Sequence, residues 1–228
     1  MQKLTNNALK VIAMVTMVLD HVGVVLFPEV TWLRVLGRLA FPIYAFMIAE
    51  GCRHTRSMPR YFGTMAALAA ICQVVYFVTM RSVYMCILVT FSFSIGLIWL
   101  LKKVEVTKKK LWYAAFFAGI CLVLFLCELL PKALPNTDFF VDYGFIGAMI
   151  PVCIYLAKNR QMQIITTQLS LVVLSATMDA LQWWCLLAVP LLLLYNGQRG
   201  KWKLKWFFYL FYPVHLVVIQ GIAMLMQS

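Results

Sequence analysis

A chain of 228 residues that is 64% hydrophobic and only 12% charged lies far from the roughly 25% charged residues of a soluble domain. Its apolar residues sit in long runs, so the expected class is an all-α polytopic membrane protein, one integral-membrane domain over 1–228. Spans and short loops use nearly the whole length, which excludes a separate soluble domain.

With about 20 residues needed per span, apolar segments fall near 8–27, 35–52, 60–80, 83–101, 111–130, 140–157, 163–178, 181–195 and 207–226. About nine transmembrane helices are expected. The seventh and eighth are short and parted only by MDALQ, which leaves eight or ten open. The first segment is too long for a signal-peptide core, is interrupted by Asp20 and His21, and has no small-residue cleavage site, so it is expected to remain as a span. The second carries Arg38 and Glu50, with Pro42 expected to loosen the helix and free carbonyls there. Gln73 lies in the third, Asp142 and Tyr143 open the sixth, and His215 lies in the ninth behind Pro213.

Charge distribution sets the orientation, because cytoplasmic loops are enriched in Lys and Arg. Alternate connections hold Lys3 and Lys10; Arg53, Arg56 and Arg60; Lys102, Lys103, Lys108, Lys109 and Lys110; Lys158 and Arg160; and Arg199, Lys201, Lys203 and Lys205. The opposite connections hold Arg34, Arg81 and Lys132. The N-terminus is therefore expected in the cytoplasm and the C-terminus outside. The net charge of +12 becomes an inner-face property, available for anionic lipid or for an anionic cytosolic ligand.

Seven cysteines sit inside apolar runs with no CxxC or Cys/His ligand spacing, and there is no HExxH or GxxxxGK[ST] motif, so no metal and no P-loop are expected. KWKLKW mixes basic and aromatic residues, but its tryptophans are placed to anchor a helix at the headgroups, and no nucleic-acid partner is expected.

A charged side chain at mid-bilayer is unfavourable by roughly 2.5–3.5 kcal/mol, and such residues face the bundle interior or a water-filled cavity. Asp20, His21, Arg38, Glu50, Gln73 and His215 should converge on one. At about 1.5 Å per residue, His21 lies roughly 20 Å, and His215 roughly 12 Å, from the cytoplasmic face. Adjacent helical residues diverge by about 100°, so Asp20 can orient either His21 or another group. Arg38 beside Asp20 and Glu50 also fits a structural ion network. A proton-coupled small-molecule transporter needs the same residue types and stands as the alternative to an enzyme, although no internal repeat of the inverted-repeat kind is visible.

VTMVLDHVGVVLFPE, LRVLGRLAFPIYAFMIAEG, DYGFIGAMIPVCIYL and LLLLYNGQRGKWKLKWFFYLFYPVHL together resemble the TraX family, from about Lys10 to the C-terminus. DH, GRxAFP, YNGxRG and FYPxHL are weak singly and specific in this order. The resemblance implies a membrane acyltransferase of the bacterial inner (cytoplasmic) membrane. Such an enzyme moves an acetyl group from acetyl-CoA to an amine or hydroxyl acceptor. The family takes its name from a conjugative-transfer protein credited with N-acetylating pilin, so pilin or another envelope or small-molecule acceptor is the implied partner, beside membrane lipid.

Acetyl transfer needs a base for the attacking amine or hydroxyl and a stabiliser for the thioester oxyanion. His21 is the expected base, with Asp20 favouring its protonated form. Arg38 is expected to stabilise the oxyanion or to lock Asp20, and His215 is the second catalytic candidate. In the last loop Asn196, Gly197 and Gly200 permit backbone conformations that present N–H groups. Arg199, Lys201, Lys203 and Lys205 add charge for the phosphates of acetyl-CoA. Tyr209 and Tyr212 would line the path of its arm, while Glu50, Asp142 and Tyr143 are the candidates for acceptor binding.

Overall fold

The structure is a computed structural model that describes residues 3–201 and 205–227, without the side chains of 205, 206, 208, 209 and 227. Every regular element among these residues is helical. In chain order they are α1 (Asn6–Val25), α2 (Thr31–Gly37), α3 (Ala40–His54), α4 (Met58–Met80), α5 (Ile87–Thr107) and α6 (Lys110–Leu124). A π-helical turn, Phe125–Leu129, leads to α7 (Leu130–Ala133) and α8 (Gly144–Leu156), followed by α9 (Arg160–Thr177). A 3-10 segment, Ala180–Leu187, then joins α10 (Ala188–Leu193) before α11 (Lys205–Gln227).

Five helical stretches are long and apolar enough to cross a membrane: Asn6–Val25, Thr31–His54, Met58–Met80, Ile87–Thr107 and Lys110–Ala133. Gly144–Leu156, Ala180–Leu193 and Leu210–Met226 are shorter apolar helices. The starts follow local chemistry. The side chains of Thr5, Ser57, Asn159 and Asp179 each accept a backbone N–H of the following first turn, the ordinary use of these residues at helix N-caps. The expected loosening in the second segment falls between α2 and α3, at Arg38 and Leu39. Pro42 explains the position, since it has no N–H to offer the carbonyl four residues earlier and its ring crowds that carbonyl. Pro213, by contrast, sits inside α11 without ending it.

The chain divides into two compact units, 1–47 with 157–228, and 48–156. In the second unit α5 packs against α4, α6 and α8. Hydroxyls join α5 to α8: Ser94 Oγ donates to the Ala148 carbonyl at 2.8 Å and Thr90 Oγ1 to the Asp142 carbonyl at 2.6 Å. From the π-helical turn, Glu128 Oε1 accepts the Phe145 N–H at 3.2 Å and caps α8. In the first unit α1 packs against α2 and α11, while the 3-10 segment meets α2 and α9.

Candidate functional site

The site in the first unit begins with two glycines. A Cβ on Gly37 would stand 2.3 Å from Asp20 Cβ, and one on Gly23 would stand 2.9 Å from Leu33 Cβ. Neither distance is tolerable, so only glycine at both positions lets α2 lie this close to α1. The close approach brings two arginines, one helical turn apart, onto one carboxylate. Arg38 Nη2 donates to Asp20 Oδ1 at 2.8 Å and Oδ2 at 3.1 Å, and Arg34 Nε donates to Oδ1 at 3.2 Å. Arg38 Nη1 also donates to Gln182 Oε1 at 3.3 Å, which ties the 3-10 segment to the same cluster.

The carboxylate bonds of Asp20 go to the guanidiniums, and none among the described residues goes to His21. Arg38 holds both oxygens of Asp20, the contact that the second of its two expected roles requires. Asp20 faces α2 and His21 faces α11, as the 100° step between helical neighbours allows.

His21 meets His215. The rings are within 4° of parallel with centroids 4.9 Å apart, and His21 Nδ1 lies 2.7 Å from His215 Nε2. That centroid separation is close to the greatest that so short a contact between two imidazole nitrogens permits. The rings therefore lie edge to edge in one plane, and the contact is an in-plane hydrogen bond. On its other side His215 Nδ1 lies 2.9 Å from the Phe211 carbonyl. A carbonyl can only accept, so Nδ1 of His215 carries the proton, and in the neutral ring Nε2 accepts. The proton in the shared bond then belongs to His21 Nδ1, which leaves the lone pair on His21 Nε2. Phe211 stacks on His215 at 5.1 Å, and buried Tyr212 stands edge-on to His215 at 5.3 Å and to His21 at 6.3 Å, fixing the ring planes.

The last loop docks on the start of α1. The carbonyls of Gln198 and Arg199 accept the N–H groups of Asn6 at 2.8 Å and Asn7 at 3.3 Å, and Asn196 Oδ1 accepts the Gln198 N–H at 2.9 Å. Gly197 and Gly200 take positive φ, 74° and 89°. The loop thus presents the carbonyls of Gln198 and Arg199 to the first turn of α1. Arg199 and Lys201 are exposed. Lys203 lies outside the described residues, as do the side chains of Lys205 and Tyr209.

Glu50, Asp142 and Tyr143 belong to the second unit. Glu50 is paired within its own helix to Arg53 at 3.9 Å and His54 at 3.5 Å. The Asp142 carbonyl receives Thr90, and Tyr143 turns the chain into α8 with φ 59°. Sequence reasoning missed Arg34, Gln182, Phe211 and the two glycines. Arg34 was legible in principle, since a basic residue four before Arg38 shares its helix face.

A family model described as TraX protein matches residues 5–223. The chain belongs to the TraX family. A relative in Dichelobacter nodosus, named probable fimbrial assembly protein FimC, serogroup H1, is 27% identical over 248 aligned positions, covering 96% of each chain. An uncharacterized protein of Rickettsia prowazekii (strain Madrid E) is 43% identical over 40 residues, 18% of this chain and 16% of that one. No solved structure matches the chain. The family match spans all the helices that build the cluster, from α1 with Asp20 and His21 to α11 with His215 in this TraX protein.

Proposed function

We propose that this TraX protein is an acetyltransferase that takes an acetyl group from cytosolic acetyl-CoA and delivers it to an amine or hydroxyl of an acceptor at the membrane or its outer face. The observation that carries this reading is the in-plane His21–His215 bond, which leaves the lone pair on His21 Nε2, one residue along α1 from the Asp20 that Arg34 and Arg38 hold. A base so arranged takes the proton of the attacking group through Nε2. His215 holds the tautomer and shares the positive charge that develops, the part a carboxylate plays in the Ser-His-Asp arrangement. The relative named as a probable fimbrial assembly protein supports a pilin or other surface-assembly acceptor. Charge distribution supports nine spans in the inner membrane with the N-terminus inside.

For the donor, exposed Arg199 and Lys201 suit the phosphates of acetyl-CoA, held on a loop whose backbone is tied to α1. The same histidine pair would also suit proton-coupled transport, and one preparation tests both. Purified protein in proteoliposomes is given radiolabelled acetyl-CoA with water, ethanolamine or a pilin as acceptor. Acceptor-dependent thiol release with label on the acceptor, abolished in His21→Gln, is the expected result. Proton movement driven by a small-molecule gradient, without thiol release or acetyl-CoA binding, would replace the enzyme by the transporter.

A further inference from the structure

Resting on that reading, we infer that Arg34 is a catalytic residue, the cation that receives the oxyanion of the thioester, while Arg38 only positions Asp20. The two arginines share one carboxylate but differ in what remains of each. Arg38 gives Nη2 to both oxygens of Asp20 and Nη1 to Gln182, and its side chain is 10% exposed. Arg34 is bonded among the described residues only through Nε, to Asp20 Oδ1, and its side chain is 29% exposed. Its two terminal Nη groups make no hydrogen bond among the described residues and are the exposed donors of the cluster, whereas Gln182 Nε2, also without a partner there, is buried.

Charge balance points the same way. Two guanidiniums and one carboxylate give the cluster a net charge of one positive, held beside a histidine pair that is neutral in the tautomers assigned above. An unbalanced positive charge in a largely buried cluster is unfavourable without a counter-charge. An oxyanion formed here would bring the cluster to neutrality, so it is favoured in the transition state over the uncharged thioester. Stabilisation of this kind lowers the barrier without tightening ground-state binding.

Position agrees as well. A Cβ on Gly23 would lie 3.4 Å from Arg34 Cδ and 3.5 Å from Cγ. The side chain therefore runs along α1 from the level of Gly23 to Asp20, the turn that also carries His21. In the step so served, the acceptor oxygen or nitrogen attacks the thioester carbon as His21 Nε2 takes its proton. The carbonyl electron pair moves onto oxygen opposite the Arg34 Nη groups. Collapse of this intermediate breaks the C–S bond, and the proton on His21 passes to the departing CoA thiolate, giving free CoA and acetylated acceptor.

The test compares Arg34→Lys, Arg34→Gln, Arg38→Lys and Arg38→Gln in the full-length protein, reading thiol release from acetyl-CoA with ethanolamine and pilin as acceptors, per folded protein. Loss of an oxyanion donor lowers kcat by about 10²–10³-fold, so both Arg34 variants should fall at least 100-fold in kcat while the KM values for acetyl-CoA and acceptor move less than about threefold. Arg38→Lys, which keeps a cation on Asp20, should lower kcat less than either Arg34 variant, and its loss should follow the loss of folded protein. A kcat within threefold of wild type in Arg34→Gln overturns the assignment. So does an effect confined to acceptor KM, which would make Arg34 a binder of an anionic group on the acceptor. Wild-type protein that releases no thiol with any acceptor refutes the acetyltransferase reading itself and with it this assignment, an outcome distinct from either.

Discussion

His21 on α1 and His215 on α11, 194 residues apart in sequence, share an in-plane hydrogen bond of 2.7 Å. The partner of an imidazole decides which of its nitrogens holds the proton, and here the chain of acceptors ends on the Phe211 carbonyl. The two histidines therefore play different parts, and substitution should separate them. His21→Gln removes the base and should lower the rate by about 10²–10⁴-fold. His215→Gln keeps an oxygen that can accept from His21 Nδ1 and so hold the tautomer, and it should lose less than His21→Gln. His215→Ala should lose more than His215→Gln. Thiol release normalised to folded protein checks all three, and equal activities of His21→Gln and His215→Gln would refute the division of roles.

Asp20 makes the opposite kind of prediction, one of stability. Its carboxylate is the shared counter-charge of Arg34 and Arg38, with none of its bonds to His21. Asp20→Asn leaves two guanidiniums facing each other across a neutral amide and should destabilise the protein by on the order of 2 kcal/mol, the range of hydrogen bonds to charged groups. Adding Arg38→Met to Asp20→Asn should restore part of that loss, because the repulsion and the unpaired charge go together. Thermal unfolding in detergent measures the cycle. Additive single effects would show that the ion cluster is not the source of the change.

Composition alone made the helical membrane class legible, and the polar residues at depth pointed to α1, the second apolar segment and α11. The pairing was not legible. Asp20 and His21 are sequence neighbours and invite a carboxylate–imidazole couple, yet the helical step sends them to different helices, and no local pattern says which helix lies on which side. Gly23 and Gly37 read as ordinary small residues until the packing of α2 on α1 shows what a Cβ would strike. The break before α3 was nearly legible, since Pro42 dictates where a carbonyl loses its donor. The division of 181–195 into a 3-10 segment and α10 is a tertiary outcome, with Gln182 drawn to Arg38.

Gly37 tests the geometry without touching a charge. A methyl there meets Asp20 Cβ at 2.3 Å and Oδ1 at 2.4 Å, whereas a methyl on Gly63 in α4 meets nothing within 4 Å. Gly37→Ala should push α2 off α1, break the Asp20 pairs and remove most activity. Gly63→Ala should be silent or stabilise by up to about 1 kcal/mol, the helix-propensity gain. Activity and unfolding temperature of the two variants in parallel give the comparison. A Gly37→Ala protein as active as Gly63→Ala would mean that the close contact of α1 and α2 is dispensable.

The loop 196–201 carries the last prediction, because its backbone and its side chains are assigned different work. Its carbonyls hold the first turn of α1, and Gly200, with φ 89° and only 3.0 Å between a would-be Cβ and Thr5 Oγ1, is bound to that docking. The side chains of Arg199 and Lys201 are exposed and make no hydrogen bond or ion pair among the described residues. Gly200→Ala should therefore strain the junction and lower stability. Arg199→Gln with Lys201→Gln should leave folding unchanged and weaken acetyl-CoA binding by at least tenfold, since charge-assisted phosphate contacts contribute about 1.5–3 kcal/mol each. Because such contacts are also screened, the wild-type affinity should fall between low and high salt more steeply than that of the double variant. Equilibrium binding of acetyl-CoA and of dephospho-CoA to the detergent-solubilised protein reads both effects. If the double variant binds acetyl-CoA as tightly as wild type, the charges of this loop serve membrane topology alone, and the donor's phosphates must be held elsewhere on the protein.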